Sequence, residues 1–157
     1  MKPNIGISEK NLQQVTTLLT TLLANEMVLY TKTRKSHWNI SGDSFMELHK
    51  LLEDQYKQLE VSIDEIAERI GKLGEKTVGT MQEFMKLSSI KENPDKYSPS
   101  KDMIRELLGD HETIIVELRK DIEASAEKNQ DVGTADLLTD LVKQHETTAW
   151  ILRKYLN

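Results

Sequence analysis

His37, His49, Glu53, Asp64 and Glu68 are the residues whose types and spacing could do chemistry in this 157-residue chain. Imidazole nitrogen suits iron and other transition metals, and carboxylates are hard oxygen donors. His49 and Glu53 are four residues apart, so on a helix they lie one above the other on one face. Asp64 and Glu68 repeat the spacing further on. At about 100° per residue, the four fall within roughly a quarter-turn sector. Glu53 and Asp64 are nevertheless about 16 Å apart along a helix axis, at roughly 1.5 Å per residue. Metal–ligand bonds are only about 2 Å long, so the two pairs cannot share a metal within one chain. Antiparallel pairing of the segment with its own copy, about an axis near Gln58 and Leu59, sets His49 and Glu53 opposite Glu68 and Asp64 of the second copy. Such an isologous contact makes two equivalent sites at once. His37 could complete each of them. Spacing alone leaves a second reading open, in which these acids form a solvated helix face and His37 is a capping or surface residue.

The elements that must position these residues follow from a 3.6-residue apolar period. A first helix is expected from about Ser8, its N-cap, to Lys35, with Leu12, Val15, Leu18, Leu19, Leu22, Leu23, Met27 and Tyr30 inward. His37-Trp38-Asn39-Ile40-Ser41-Gly42 reads as a turn. A second helix starts at Asp43 or Ser44, where Ser44 and Glu47 have capping-box spacing. Its seam is Phe45, Leu48, Leu52, Tyr56 (or Gln55), Leu59, Ile63, Ile66, Ile70 and Leu73, and Gly71 and Gly74 mark its end. A short helix fits Thr80 to Ser88, with Met81, Phe84, Met85 and Leu87 on its apolar side. Asn93 to Pro99 reads as a loop, and Ser98-Pro99 opens a third long helix reaching about Lys128. That helix turns Ile104, Leu107, Leu108, Ile115, Leu118 and Ile122 inward. After an Asn129-to-Gly133 turn, a last helix carries Leu137, Leu138, Leu141, Val142, Ala149, Leu152 and Leu156. Two long hairpins joined by a long crossover describe an all-α, ferritin-like four-helix bundle with a short helix in the crossover. Residues 1–157 are expected to form one such domain.

Composition narrows the function. Apolar residues make up 38% and charged residues 30%, with seven Gly and three Pro, which favours long helices in a globular chain. No apolar run approaches the roughly 20 residues of a membrane span, and the first residues lack a signal-peptide core, so a cytoplasmic protein is expected. With no cysteine, thiolate metal sites and disulfides are excluded. A net charge of −5 favours cations over nucleic-acid phosphate.

The segment Lys35-Ser36-His37-Trp38-Asn39-Ile40-Ser41-Gly42, with Phe45, Leu48-His49 and Asp64-Glu65-Ile66-Ala67-Glu68-Arg69-Ile70, resembles the Dps family, also called miniferritins. The likeness runs over essentially the whole chain, including the Trp150 segment. It implies a hollow homododecamer built from two-fold dimers. It further implies a ferroxidase that binds ferrous iron between subunits, oxidises it preferentially with hydrogen peroxide, stores ferric mineral inside and so protects against oxidative damage. Carried over by position, His37, His49 and Glu53 of one subunit face Asp64 and Glu68 of the other. Glu53 departs from the family's frequent Asp by one methylene. Trp38 is expected beside the site or in core packing. Asp131, Asp136 and Asp140 stand, by similarity, for an acidic three-fold pore; the alternative is that acids in a first helical turn favour the dipole.

Rival readings are marked by particular residues. A conventional ferritin carries Glu-x-x-His motifs, but neither His111 nor His145 has Glu three residues earlier. Both are expected at the surface or an interface. Direct DNA binding is expected to be weak near neutral pH, since Lys2 and Lys10 are the only basic residues of the N-terminal segment and only Arg153 and Lys154 lie near Asn157. A structural bundle lacking ferroxidase activity stays open. The methionines fit gap-filling better than a copper site.

Overall fold

The computed structural model describes residues 3–156, which leaves Lys2 outside the described residues. The elements are all helical: α1 Glu9–Asn39, α2 Phe45–Lys72, α3 Met81–Leu87, α4 Ser100–Glu123, a π-helical turn Ala124–Lys128, and α5 Val132–Leu156. Helix α1 packs mainly on α2 and α4 mainly on α5, while α3 lies in the crossover against α1. The architecture is the ferritin-like four-helix bundle expected from the spacing of the apolar residues.

Each element stops and starts for a local reason. Ser8 caps α1, its side chain accepting from Asn11 N–H at 3.2 Å. The helix runs past Lys35 to Asn39, so His37 and Trp38 sit in its last turn and not in a loop. Ser44 makes no side-chain cap, because its backbone (φ −95°, ψ 20°) is not in the extended conformation a capping box needs. The box forms instead at α3, between Thr80 and Glu83. Helix α2 ends in a Schellman turn, with Glu75 N–H to Ile70 O at 3.3 Å and Gly74 N–H to Gly71 O at 2.9 Å. Gly74 has φ +92°, and a Cβ there would come within 2.5 Å of the Pro3 ring. Helix α4 begins at Ser100 after an extended Pro99, one residue later than Ser98-Pro99 suggested.

The core joins fully buried Leu19, Leu23, Leu29, Leu52, Ile66, Ile70, Ile104, Leu107, Ile114, Leu118 and Leu138 from the four long helices. Each contributes about 1.5–3 kcal/mol by leaving water. Ile114, not Ile115, is the fully buried member of its pair, and Gln55, not Tyr56, turns into the core. Adjacent residues on a helix differ by about 100°, so a one-residue shift decides burial. Among the described residues, no helix is long and apolar enough to cross a membrane.

Candidate metal centre

His37, in the last turn of α1, and His49, in the second turn of α2, are locked to each other. Their rings stack with centroids 3.7 Å apart and planes 21° from parallel. His37 Nδ1 lies 2.8 Å from the His49 carbonyl oxygen, and His49 Nδ1 lies 2.9 Å from that of His37. The His37 carbonyl is available because the last carbonyls of a helix have no partner within it. A carbonyl only accepts, so each Nδ1 donates, and in the neutral form of each ring the lone pair lies on Nε2. A ligating histidine is oriented in this way, by a hydrogen bond from its other nitrogen.

Aromatic residues brace the pair. Tyr56 meets His37 edge-on at 5.2 Å, and Phe45 lies 5.0 Å from His49. The Arg34 guanidinium sits 4.6 Å from the Tyr56 ring centre and 5.2 Å from Trp38, and donates to the Tyr30 hydroxyl at 2.7 Å. That bond leads in raising the Arg34 pKa above its ordinary value. Trp38 is 64% exposed, so within the subunit it is not core packing. Tyr56 was read from the sequence only as a seam residue, and Arg34 was not singled out; the signal for Arg34 was its position one turn before His37 and Trp38.

Glu53 follows His49 by one turn of α2, where Lys57 and Lys50 pair with it. The bond from Lys57 leads in holding its carboxyl below the usual glutamate range. Asp64 and Glu68 lie further along the same helix and are exposed, with Glu68 3.0 Å from Lys72. Helix α2 is unbroken between Glu53 and Asp64, so the separation of about 16 Å stands. Among the described residues, no three His, Asp or Glu side chains of the single chain converge on a metal position. The structure therefore brings His37 and His49 together, sets Glu53 one turn of α2 beyond His49, and leaves Asp64 and Glu68 apart. Met46 (73% exposed) and Val61 (59%) share the outer side of α2 with these acids.

Two expectations need correction. His111 and His145 are not surface residues: they are 2% and 3% exposed, inside the bundle. Their Nδ1 atoms are 2.8 Å apart, and His145 Nε2 lies 2.7 Å from Glu26 on α1, itself fully buried. Burial first, and His145 second, push the His111 pKa well below its ordinary 6.5. Glu26 Oε2, His111 Nε2 and both amide atoms of Gln55 are buried without a hydrogen-bond partner. The signal was legible, since Glu26 falls between Leu22 and Leu29 on the apolar stripe of α1. Asp131 is also interior. Its carboxylate accepts from Arg69 at 2.8 Å and from the Thr134 N–H at 2.9 Å, tying α2 to the start of α5. That carboxylate is committed inside the subunit, whereas Asp136 and Asp140 remain exposed.

The sequence pattern of the ferritin-like domain matches residues 16–157. A Bacillus anthracis protein named DNA protection during starvation protein 2 is 38% identical over 146 residues, covering 92% of this chain and 98% of its own length. A low temperature-induced protein of Nostoc is 40% identical over 153 residues, 98% of this chain and 86% of that one. The crystal structure of a Dps protein from Vibrio cholerae O1, described as a member of a broad superfamily of ferritin-like diiron-carboxylate proteins, superposes with a TM-score of 0.93 at 31% identity, covering 99% and 97% of the two chains. Dps from Thermosynechococcus elongatus gives 0.90 at 34% identity, covering 94% and 93%. With this helix order, this histidine pair and these relatives, the chain belongs to the Dps family of ferritin-like proteins.

Proposed function

We propose that this protein is an iron-sequestering ferroxidase whose sites form between two copies. His37, His49 and Glu53 of one copy and Asp64 and Glu68 of the other bind ferrous iron as substrate. Two-fold dimers assemble into a hollow dodecamer that stores the ferric product, and the protein works in the cytoplasm. The observation that carries this reading is the reciprocal Nδ1-to-carbonyl clamp of His37 and His49, which fixes two imidazoles with Nε2 as the free donor atom. The exposed Met46 and Val61 beside the acids support pairing of copies through α2.

Hydrogen peroxide is the preferred oxidant in this proposal. Its O–O bond takes one electron from each of two ferrous ions and, with two protons, leaves two waters. No one-electron step is left to generate hydroxyl radical. A few imidazoles among carboxylates hold iron loosely enough to release the ferric product. The net charge of −5 argues that DNA is spared by removal of iron and peroxide, not by coating. Retention of DNA in a low-salt gel shift with magnesium would contradict that part.

The test is an anaerobic ferrous titration followed by peroxide. Ferric absorbance should rise with twice as much iron as peroxide consumed, and His49→Ala should slow it by at least about a hundredfold. An intact shell that takes up no iron would instead support a purely structural bundle.

A further inference from the structure

The two glutamates proposed as iron ligands carry the same neighbour. Glu53 is followed four residues later by Lys57, and Glu68 by Lys72, the Glu-to-Lys order that suits an i,i+4 pair on a helix. Both pairs form. Lys57 Nζ donates to Glu53 Oε1, and Lys72 Nζ lies 3.0 Å from Glu68 Oε2. The other cations of α2 are engaged elsewhere. Arg69 reaches across to Asp131, and Lys50 sits closer to Asp54 (2.9 Å) than to Glu53 (3.6 Å). Among the described residues, Lys57 and Lys72 have no other ion pair.

This arrangement answers a difficulty created by pairing the copies. Each intersubunit site gathers three carboxylates and two imidazoles, and without metal the carboxylate charges repel across an interface that partly excludes water. We propose that Lys57 and Lys72 are built-in counter-ions that occupy the ligand carboxylates whenever iron does not. With them, the carboxylates of an empty site carry one uncompensated negative charge in place of three, so copies can pair before any metal arrives. Ferrous iron must then displace two ammonium groups, each on a flexible four-carbon stem able to swing into solvent. The lysines therefore lower iron affinity and keep the sites exchangeable. The inference rests on the proposed site and adds to it a determinant of affinity and assembly.

The test uses the whole chain with Lys57→Gln and Lys72→Gln combined, both exposed positions, and cobalt(II) as a probe that peroxide chemistry does not consume. The double variant should bind cobalt about tenfold more tightly than the parent, from two pairs each worth a few-fold. In chelator at low ionic strength it should sediment as smaller species than the parent, and added salt should restore assembly by screening the carboxylates. The charge-preserving Lys57→Arg, Lys72→Arg variant should behave as the parent. Cobalt binding no tighter than the parent's, or undiminished assembly in chelator, would overturn the inference while leaving the site itself standing. His49→Ala checks the site separately: if it still binds cobalt as the parent does, the site reading fails and this inference falls with it.

Discussion

The His37–His49 pair and the His111–His145 pair each bring two imidazoles into contact, and they do so in opposite ways. In the first, the rings stack and each Nδ1 is taken up by a backbone carbonyl. Backbone cannot be titrated or mutated away, and it leaves the Nε2 atoms uncommitted. In the second, the rings meet nitrogen to nitrogen, their planes 52° apart, with the chain ending on the buried Glu26 carboxylate. The first pair lies at the α1–α2 turn, one turn of α2 from the half-buried Glu53, and the second lies where α1, α4 and α5 meet. Contact between histidines is therefore not a signature of a site. What distinguishes a ligand from a brace is which nitrogen the fold leaves over, and whether anything can reach it.

The largest effect should come from breaking the inner pair. His145→Leu leaves Glu26 buried without its partner, and denaturant unfolding should show a loss of about 3–5 kcal/mol. Cobalt affinity at the outer pair should stay close to the parent's. A variant as stable as the parent would mean that the inner chain is not a brace.

The next effect is a pH dependence carried by His111. Its folded pKa lies below the unfolded value, so the unfolded chain takes up the proton first as pH falls. Stability from this group is complete above about 6.5 and is lost as pH drops below it, by up to about 1.4 kcal/mol per pH unit. His111→Asn should flatten that limb in melting curves recorded between about pH 6.5 and 5. An unchanged slope would place the acid sensitivity elsewhere.

The smallest effect sharpens the same curve from the other side. Burial first, and Glu117 second, push the Asp121 carboxyl up from 3.8 to about 6. The folded state thus holds this proton where the unfolded state has lost it, and stability from Asp121 falls as pH rises between those values. Asp121→Asn should raise stability above pH 6 by on the order of 1 kcal/mol, after discounting for the solvent that reaches this half-buried group. The gain should vanish towards pH 4, and a constant gain at all pH would point to packing instead.

Much of this was legible in the order of residues. The helix number, the long crossover and the short helix within it follow from apolar periodicity and from Gly and Pro placement, because those signals are local. The spacing of His49, Glu53, Asp64 and Glu68 also shows, before any coordinates, that one chain cannot bring all four to a single metal, since an unbroken helix has a fixed rise. Helix ends were less legible. Ser44 has the right neighbours for a cap but the wrong backbone angles, and α1 runs through the Trp38 turn to Asn39.

Only the tertiary structure decided which polar residues are interior. Sequence spacing gives the angle of a side chain about its own helix but not what the neighbouring helix places opposite it. His111 and Asp131 were settled by that second surface, as were the choice of Gln55 over Tyr56 and the stacking of His37 on His49 across two helices. The sequence by itself determined the helices and the spacing of the candidate site residues along them. Packing determined which nitrogens and carboxylates are spent inside the subunit and which remain uncommitted, because hydrogen-bond partners between helices are distant in sequence and set by three-dimensional contact alone.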